Sequence, residues 1–361
     1  MRVLFCGGGT AGHVNPAIAV AQTVMRNSTE NKVAYVVTLN GIENQLVSFK
    51  KYQIDVIGFK RRLTLKNFSF LKKQIKAIEK SKQIINEFRP DIVFGTGGYA
   101  TVPVVIAAKK LGIPVILHES NVIPGKAILT LQSKADKILL NFSESEKYFK
   151  KKDKLLHVGN PIRNGFEHES KERIKKSLGI REKYVVLCIG GSLGAQRLNN
   201  AAIELVDNFV RYRKDILLIW STGKNEYNNV IDMISKRDLN NVKNLIVTDY
   251  IKNIPEIMSS SDLVISRAGA MTISELAHCK KASILVPSPN VTNNHQYLNA
   301  KALEASGAAI LITEDKLYTL IDVVKGLIEN ERERELLESN IGEYSKKDAN
   351  KTIYNLLSNI L

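Results

Sequence analysis

Apolar residues fall along this chain in two alternating textures. Short runs such as Val3-Leu4-Phe5 and Val33-Ala34-Tyr35-Val36-Val37 are separated by longer stretches with apolar positions at helical spacing, the first over residues 15 to 26. Further strands are read at Asp91-Ile92-Val93-Phe94, Pro114-Val115-Ile116-Leu117 and Lys137-Ile138-Leu139-Leu140. The pattern restarts at Tyr184-Val185-Val186-Leu187-Cys188-Ile189 and continues through residues 216–220, 245–247, 263–265 and 283–286. Alternation of this kind predicts an α/β fold with parallel sheets covered by helices on both faces.

Both halves open alike, with a strand followed by glycines: Phe5-Cys6-Gly7-Gly8-Gly9-Thr10-Ala11-Gly12 and Cys188-Ile189-Gly190-Gly191-Ser192-Leu193-Gly194-Ala195. Two Rossmann-like doubly wound domains facing across a cleft are expected, with ligands at the carboxyl ends of the strands. The join is read at Gly159-Asn160-Pro161-Ile162-Arg163, because Pro161 disfavours helix at Asn160 and Asn164-Gly165 is turn chemistry. This divides the chain into residues 1–160, residues 161–343, and a final helix over 344–361 that packs back on the first domain.

Composition narrows the class. The 361 residues are 44% hydrophobic with nine prolines, which suits two packed cores and excludes intrinsic disorder. No stretch approaches the roughly 18 to 20 apolar residues of a membrane span, and the first apolar run is too brief for a signal peptide, so a cytoplasmic protein is expected. Cys6, Cys188 and Cys279 are isolated and unpaired by any CxxC spacing, as buried free thiols are. Residues 1–160 hold 25 Lys+Arg against 11 Asp+Glu, while the remainder holds 27 against 25, so nearly all of the +16 net charge lies in the first half. That asymmetry favours a polyanionic partner, nucleic acid or an anionic membrane, over charge carried only for solubility.

The candidate chemistry lies at strand ends. Gly7 to Gly12 satisfies the dinucleotide spacing, but the second strand ends Val37-Thr38-Leu39-Asn40 without the acidic ribose ligand. What remains is a glycine turn that brings an anionic group against backbone N–H groups at a helix N-terminus. His13 follows on that loop, where an imidazole can act as general base. Gly95-Thr96-Gly97-Gly98-Tyr99 adds a second glycine loop, and His118-Glu119-Ser120-Asn121 sets four polar groups at another strand end. His118 and Glu119 lack the third ligand of a metal site. In the second half, residues 190–195 read as a phosphate-type loop or a plain strand-to-helix turn. Glu275, one turn into the helix after Ser266 to Thr272, suits a ribose diol or merely favours the helix start. Gln296 both donates and accepts, as sugar hydroxyls require. No DxD sequence occurs, so neither a metal nor any other cofactor is expected, and helix N-termini and backbone must meet phosphate charge. Phe59 to Lys73 interleaves bulky apolar residues with six basic ones. An interfacial membrane contact needs that composition, whereas no module or stacking motif supports nucleic-acid binding. A solvated loop is the plain alternative.

Together these motifs resemble the MurG family of bacterial UDP-N-acetylglucosamine transferases of peptidoglycan synthesis. The resemblance rests on Gly8-Gly9-Thr10-Ala11-Gly12-His13-Val14-Asn15-Pro16, residues 95–99, 118–121, 159–163, 190–195, 266–275 and 295–300, in order and spacing along nearly the whole chain. It implies a GT-B fold. It further implies transfer of GlcNAc, with inversion, from UDP-GlcNAc to the C4 hydroxyl of MurNAc in lipid I (undecaprenyl-pyrophosphoryl-MurNAc-pentapeptide), giving lipid II and UDP. By this resemblance Glu275 holds the ribose, the Ile251 backbone the uracil, Ser192 and Arg163 the diphosphate, and Asn121, the Ala270 backbone and Gln296 the sugar. Thr10 and Gly12 join the donor contacts on the loop that carries His13 toward the acceptor, and Gly97, Gly98 and Tyr99 line the acceptor side. His13 is the expected base and Glu119 the reserve. Arg61, Arg62, Leu63, Leu65, Lys66 and Phe68 are expected to dock the protein on anionic lipid at the cytoplasmic face of the membrane. A UDP-GlcNAc 2-epimerase and a nucleotide-sugar or lipid-binding protein without turnover are the alternatives.

Overall fold

A computed structural model describes the chain except residues 57–65, 164, 167–169, 192–193, 347 and 361, and except the side chains of 66–71 and 292. Arg61, Arg62, Leu63 and Leu65 therefore lie outside the described residues, as do Ser192 and the side chains of Lys66 and Phe68. The chain forms two compact units, Met1–Arg163 with Lys346–Leu361, and Asn164–Ser345.

The first unit contains seven parallel strands: β1 (Arg2–Cys6), β2 (Lys32–Thr38), β3 (Lys51–Ile54), β4 (Ile92–Gly95), β5 (Val115–Glu119), β6 (Lys137–Leu140) and β7 (Leu155–His157). They lie in the order β3-β2-β1-β4-β5-β6-β7. β1 pairs on both sides, Cys6 standing opposite Val36 and Gly95. Val3, Leu4, Phe5, Val93 and Phe94 are fully buried, because helices cover both faces of the central strands. Each such side chain contributes about 1.5–3 kcal/mol of burial. Two strands of this unit escaped the sequence pattern. β3 reads Lys-Tyr-Gln-Ile on a half-exposed edge, and β7 has only three residues.

The helix Ala11–Asn27 begins four residues earlier than its apolar spacing indicates. Pro16 lies inside it and cannot donate to the Gly12 carbonyl, which masks the first turn in the sequence. His13 accordingly sits in a helical first turn and not on the preceding loop. Chain-terminal helix Ala349–Asn359 packs on Ala11–Asn27 through the buried Ile353 and Leu357. Its Asn350 amide accepts from the Ile162 N–H at 3.0 Å and donates to the Ile162 carbonyl at 3.0 Å, pinning residues 159–163.

The second unit repeats the plan with six parallel strands: β8 (Tyr184–Ile189), β9 (Ile216–Ser221), β10 (Leu245–Thr248), β11 (Leu263–Ser266), β12 (Ser283–Leu285) and β13 (Ile310–Leu311). Their order is β10-β9-β8-β11-β12-β13. In each sheet the order reverses direction beside the first strand, at β1/β4 and at β8/β11. Loops leaving neighbouring strands there diverge to opposite faces and open a crevice at the carboxyl edge. All four loops at these two points are glycine-bearing. Of the cysteines, Cys6 and Cys188 are buried, whereas Cys279 is only partly so, at the end of helix Ala270–Cys279.

Candidate active site

At the β1/β4 switch point the two glycine loops interlock. The Gly8 N–H donates to the Gly97 carbonyl at 3.2 Å. Gly98 has φ +78°, and a Cβ there would lie 2.1 Å from the Gly8 oxygen, so both conformation and space demand glycine. Tyr99 packs its ring against Gly9. The Thr101 hydroxyl donates to the Gly97 carbonyl at 2.7 Å and the Thr96 hydroxyl to the His13 carbonyl at 2.5 Å. Thr10, Gly12, His13, Gly97, Gly98 and Tyr99 are thus brought to one edge.

His13 Nδ1 stands 3.1 Å from the Gly8 carbonyl oxygen and 3.3 Å from Thr10 Oγ1. A carbonyl oxygen only accepts, so Nδ1 carries a proton toward Gly8, and a neutral ring in this orientation has its lone pair on Nε2. Nε2 lies on the Gly97 side, where a Cβ would fall 3.4 Å from it. A neutral imidazole in that tautomer is what a general base requires.

The polar run after Leu117 straddles the end of β5, which continues through Glu119. Consecutive strand residues face opposite ways, and these two do. His118 donates from Nε2 to the Gly159 carbonyl at 3.1 Å and stacks on Phe94; burial holds its pKa down at about 4, so the ring is neutral. Glu119 accepts from the Asn121 N–H at 2.9 Å, the Asn121 amide at 3.2 Å and the Gly125 N–H at 2.8 Å. Burial raises its pKa against these bonds. Its carboxyl group clamps the 120–125 loop and orients Asn121.

At the second switch point Gly191 (φ +92°) and Gly194 (φ +96°) bend the loop from β8 into helix Gln196–Asn208. Opposite them, residues 267–269 lead from β11 into helix Ala270–Cys279, with Ala270 in its first turn and Glu275 in its second. Glu275 is 2% exposed. Ile251 is also buried, in the loop after β10. Gln296 opens helix His295–Ala305, and its side-chain oxygen accepts from the Ser288 N–H at 2.8 Å, leaving the NH2 as its donor group. Arg163 and Asn121, both expected on the donor, belong to the first unit.

Comparison with known proteins decides the family. Residues 3–140 match the glycosyltransferase family 28 N-terminal domain, and residues 185–353 match the glycosyltransferase family 28 C-terminal domain. The chain belongs to glycosyltransferase family 28. Among relatives of this family 28 chain is the UDP-N-acetylglucosamine–N-acetylmuramyl-(pentapeptide) pyrophosphoryl-undecaprenol N-acetylglucosamine transferase of Thermoanaerobacter sp. (strain X514), 36% identical over 367 residues with 100% of each chain covered. Its namesake in Caldicellulosiruptor saccharolyticus is 38% identical over 350 residues, covering 96% of this chain and 93% of its own. The crystal structure of Acinetobacter baumannii MurG superposes with a TM-score of 0.78 at 24% identity, covering 99% of both chains. A UDP-GlcNAc 2-epimerase from Neisseria meningitidis gives 0.68 at 16% identity, covering 99% of this chain and 100% of its own. Both structural likenesses show a shared fold. The family 28 chain is a glycosyltransferase of GT-B fold, built from two Rossmann-like parallel-sheet domains.

Three groups of this family 28 site are absent from the sequence-based expectation. Arg267 donates to Glu314 at 2.6 Å and to the Val286 carbonyl at 3.1 Å, tying the β11 loop to the chain beyond β12 and β13. Asn199 accepts from Trp220 Nε1 at 3.1 Å and donates to the Thr222 carbonyl at 3.0 Å, seating the helix that follows β8. Glu43, on helix Glu43–Leu46, turns back to the end of β2. Arg267 and Asn199 join residues far apart in the chain, for which local patterning holds no signal, whereas Glu43 reaches Thr38 only five residues back.

Proposed function

We infer that this chain transfers GlcNAc from UDP-GlcNAc to the C4 hydroxyl of MurNAc in lipid I, with inversion, and releases lipid II and UDP. The reading is carried by the end-to-end match to transferases named for that reaction, together with a His13 ring whose Nδ1 is held by the Gly8 carbonyl. His13 Nε2 takes the proton of the C4 hydroxyl, that oxygen forms its bond to C1 of GlcNAc, and the bond from C1 to the diphosphate oxygen breaks. UDP leaves with the electron pair. Backbone N–H groups of residues 190–195 and the following helix N-terminus, with Ser192 and Arg163, meet its charge.

Glu275 takes the ribose diol, the Ile251 backbone the uracil, and Asn121, the Ala270 backbone and the Gln296 NH2 the sugar hydroxyls, with Thr10 and Gly12 completing the donor set. Gly97, Gly98 and Tyr99 receive the acceptor. Glu119, committed to three N–H donors, is a positioning residue for Asn121, which leaves His13 as the base. Arg61, Arg62, Leu63, Leu65, Lys66 and Phe68 dock the enzyme on anionic lipid of the inner leaflet. Helix Lys66–Phe88 continues from them with Ile75 56% exposed among the exposed Lys72, Lys76 and Lys80. No described helix is long and apolar enough to cross a membrane.

The test is mass spectrometry of the protein with UDP-GlcNAc and a short-chain lipid I analogue. A product heavier by one N-acetylhexosamine, with UDP released, is expected; conversion of the donor to UDP-ManNAc would overturn the reading in favour of an epimerase. Charge reversal of Arg61, Arg62 and Lys66 should release the protein from anionic vesicles, and unchanged binding would refute the docking surface.

A further inference from the structure

The sheet edge that carries His13 rests on a buried carboxylate that the reaction above does not use. Glu43 is 0% exposed. Its Oε1 accepts from the Thr38 N–H at 3.0 Å and the Thr38 hydroxyl at 2.7 Å, while Oε2 has no hydrogen-bond partner among the described residues. The group lies between two glycines. A Cβ on Gly8 would fall 2.9 Å from Oε1 and 3.1 Å from Oε2, and one on Gly41 would fall 2.0 Å from Oε1. Neither has the left-handed φ that itself calls for glycine, so these two glycines supply room for the carboxylate.

Holding the two Thr38 donors needs one oxygen and no charge, and an amide would do it. A buried carboxyl group with a bare oxygen is costly, which points to a second task on a neighbour. That neighbour is Gly8. Its N–H is spent on the Gly97 carbonyl and its own carbonyl takes the His13 Nδ1 proton, so whatever fixes Gly8 fixes the imidazole. The titratable groups packed about this loop are Cys6 at the end of β1, Tyr35 and Glu43 on the β2 side, and Tyr99 against Gly9. Tyr35 donates to the Gly7 carbonyl at 2.9 Å. Its phenol is pushed well up by burial first and then by Cys6 and Glu43, so the field of Glu43 reaches the same turn.

We propose that Glu43 is a positioning residue for the base. Acting through Gly8, it holds the His13 ring in the Nδ1–H tautomer and favours the imidazolium that forms as the acceptor hydroxyl gives up its proton. The inference rests on His13 being the base, and the experiment separates the two. Full-length wild type, Glu43→Gln and His13→Ala are compared in the pH dependence of kcat and kcat/KM with UDP-GlcNAc and a short-chain lipid I analogue, alongside 15N NMR of the His13 ring. Glu43→Gln should lower kcat about tenfold with both KM values within about twofold. The acid limb should move down by about half a pH unit or more, and the 15N shifts should lose their Nδ1–H preference. A wild-type acid limb and tautomer in Glu43→Gln, with His13→Ala inactive, would overturn the role of Glu43 and leave the base in place. Near-normal turnover of His13→Ala would instead overturn the base, and the proposal with it. Should Glu43→Gln not fold, Glu43→Asp keeps the charge but withdraws it. A lowered kcat with the wild-type tautomer is then expected, and a wild-type kcat would refute the proposal.

Discussion

Gly98→Ala tests whether the interlocked loops hold the site together. Its control is Gly112→Ala, since Gly112 has φ +73° and nothing within 4 Å of the added Cβ. Both substitutions place a side chain in the left-handed region, at about 1–2 kcal/mol. At Gly98 the added methyl also meets the Gly8 carbonyl oxygen at 2.1 Å, a backbone atom that cannot swing aside. Overpacking against such an atom costs about 1–3 kcal/mol more. For a unit of this size each kcal/mol moves Tm by about 2–4 °C, so Gly112→Ala should lose about 4–5 °C and Gly98→Ala about 10 °C. Gly8 is also displaced, taking with it the acceptor of the His13 Nδ1 proton, so Gly98→Ala should lose at least about tenfold in kcat while Gly112→Ala keeps it. Calorimetry and steady-state turnover on the two variants decide the matter. Equal Tm losses, or equal activities, would refute the interlock.

His118 titrates at about 4 in the fold against its ordinary 6.5 in the unfolded chain, because burial disfavours the charged ring. Its contribution to stability is full above pH 6.5 and is lost as pH falls toward 4, by about 3 kcal/mol in all. Urea midpoints between pH 7 and 4 should show that loss, with a shallower slope in His118→Gln. Glu119→Gln should cost about 1–3 kcal/mol, since either orientation of the amide sets its NH2 against an N–H of Asn121 or Gly125; chemical denaturation measures it. Glu314→Gln removes the charge partner of Arg267, both being about 14% exposed, and should cost about 1–3 kcal/mol and raise the KM for UDP-GlcNAc severalfold. Burial pushes the Cys6 and Cys188 thiols up to about 12, so iodoacetamide at pH 8 should label Cys279 first in the native protein, read by peptide mass spectrometry.

Much of this protein is legible in one dimension. Period and length separate the strands from the helices, and glycines immediately after an apolar run mark β1, β4 and β8 as strands that lead into the candidate site. Where side-chain chemistry is spent on local backbone, sequence reasoning stops short. His118 and Glu119 look like paired functional groups, yet the two-residue period of β5 sends one to Gly159 and the other to Gly125. Helix Ala11–Asn27 hides its first turn behind Pro16, and the edge strands β3 and β7 are too short and too polar to announce themselves. Tertiary structure alone decides which nitrogen of His13 holds the proton, because that depends on a carbonyl placed by contact with Gly97. It alone brings Glu43 back against Gly8 and Glu314 onto Arg267. The physical reason is common to all three. Secondary structure follows from neighbours within a turn or a strand, whereas the tautomer, charge and orientation of a side chain are set by whatever the fold packs against it, from anywhere in the chain.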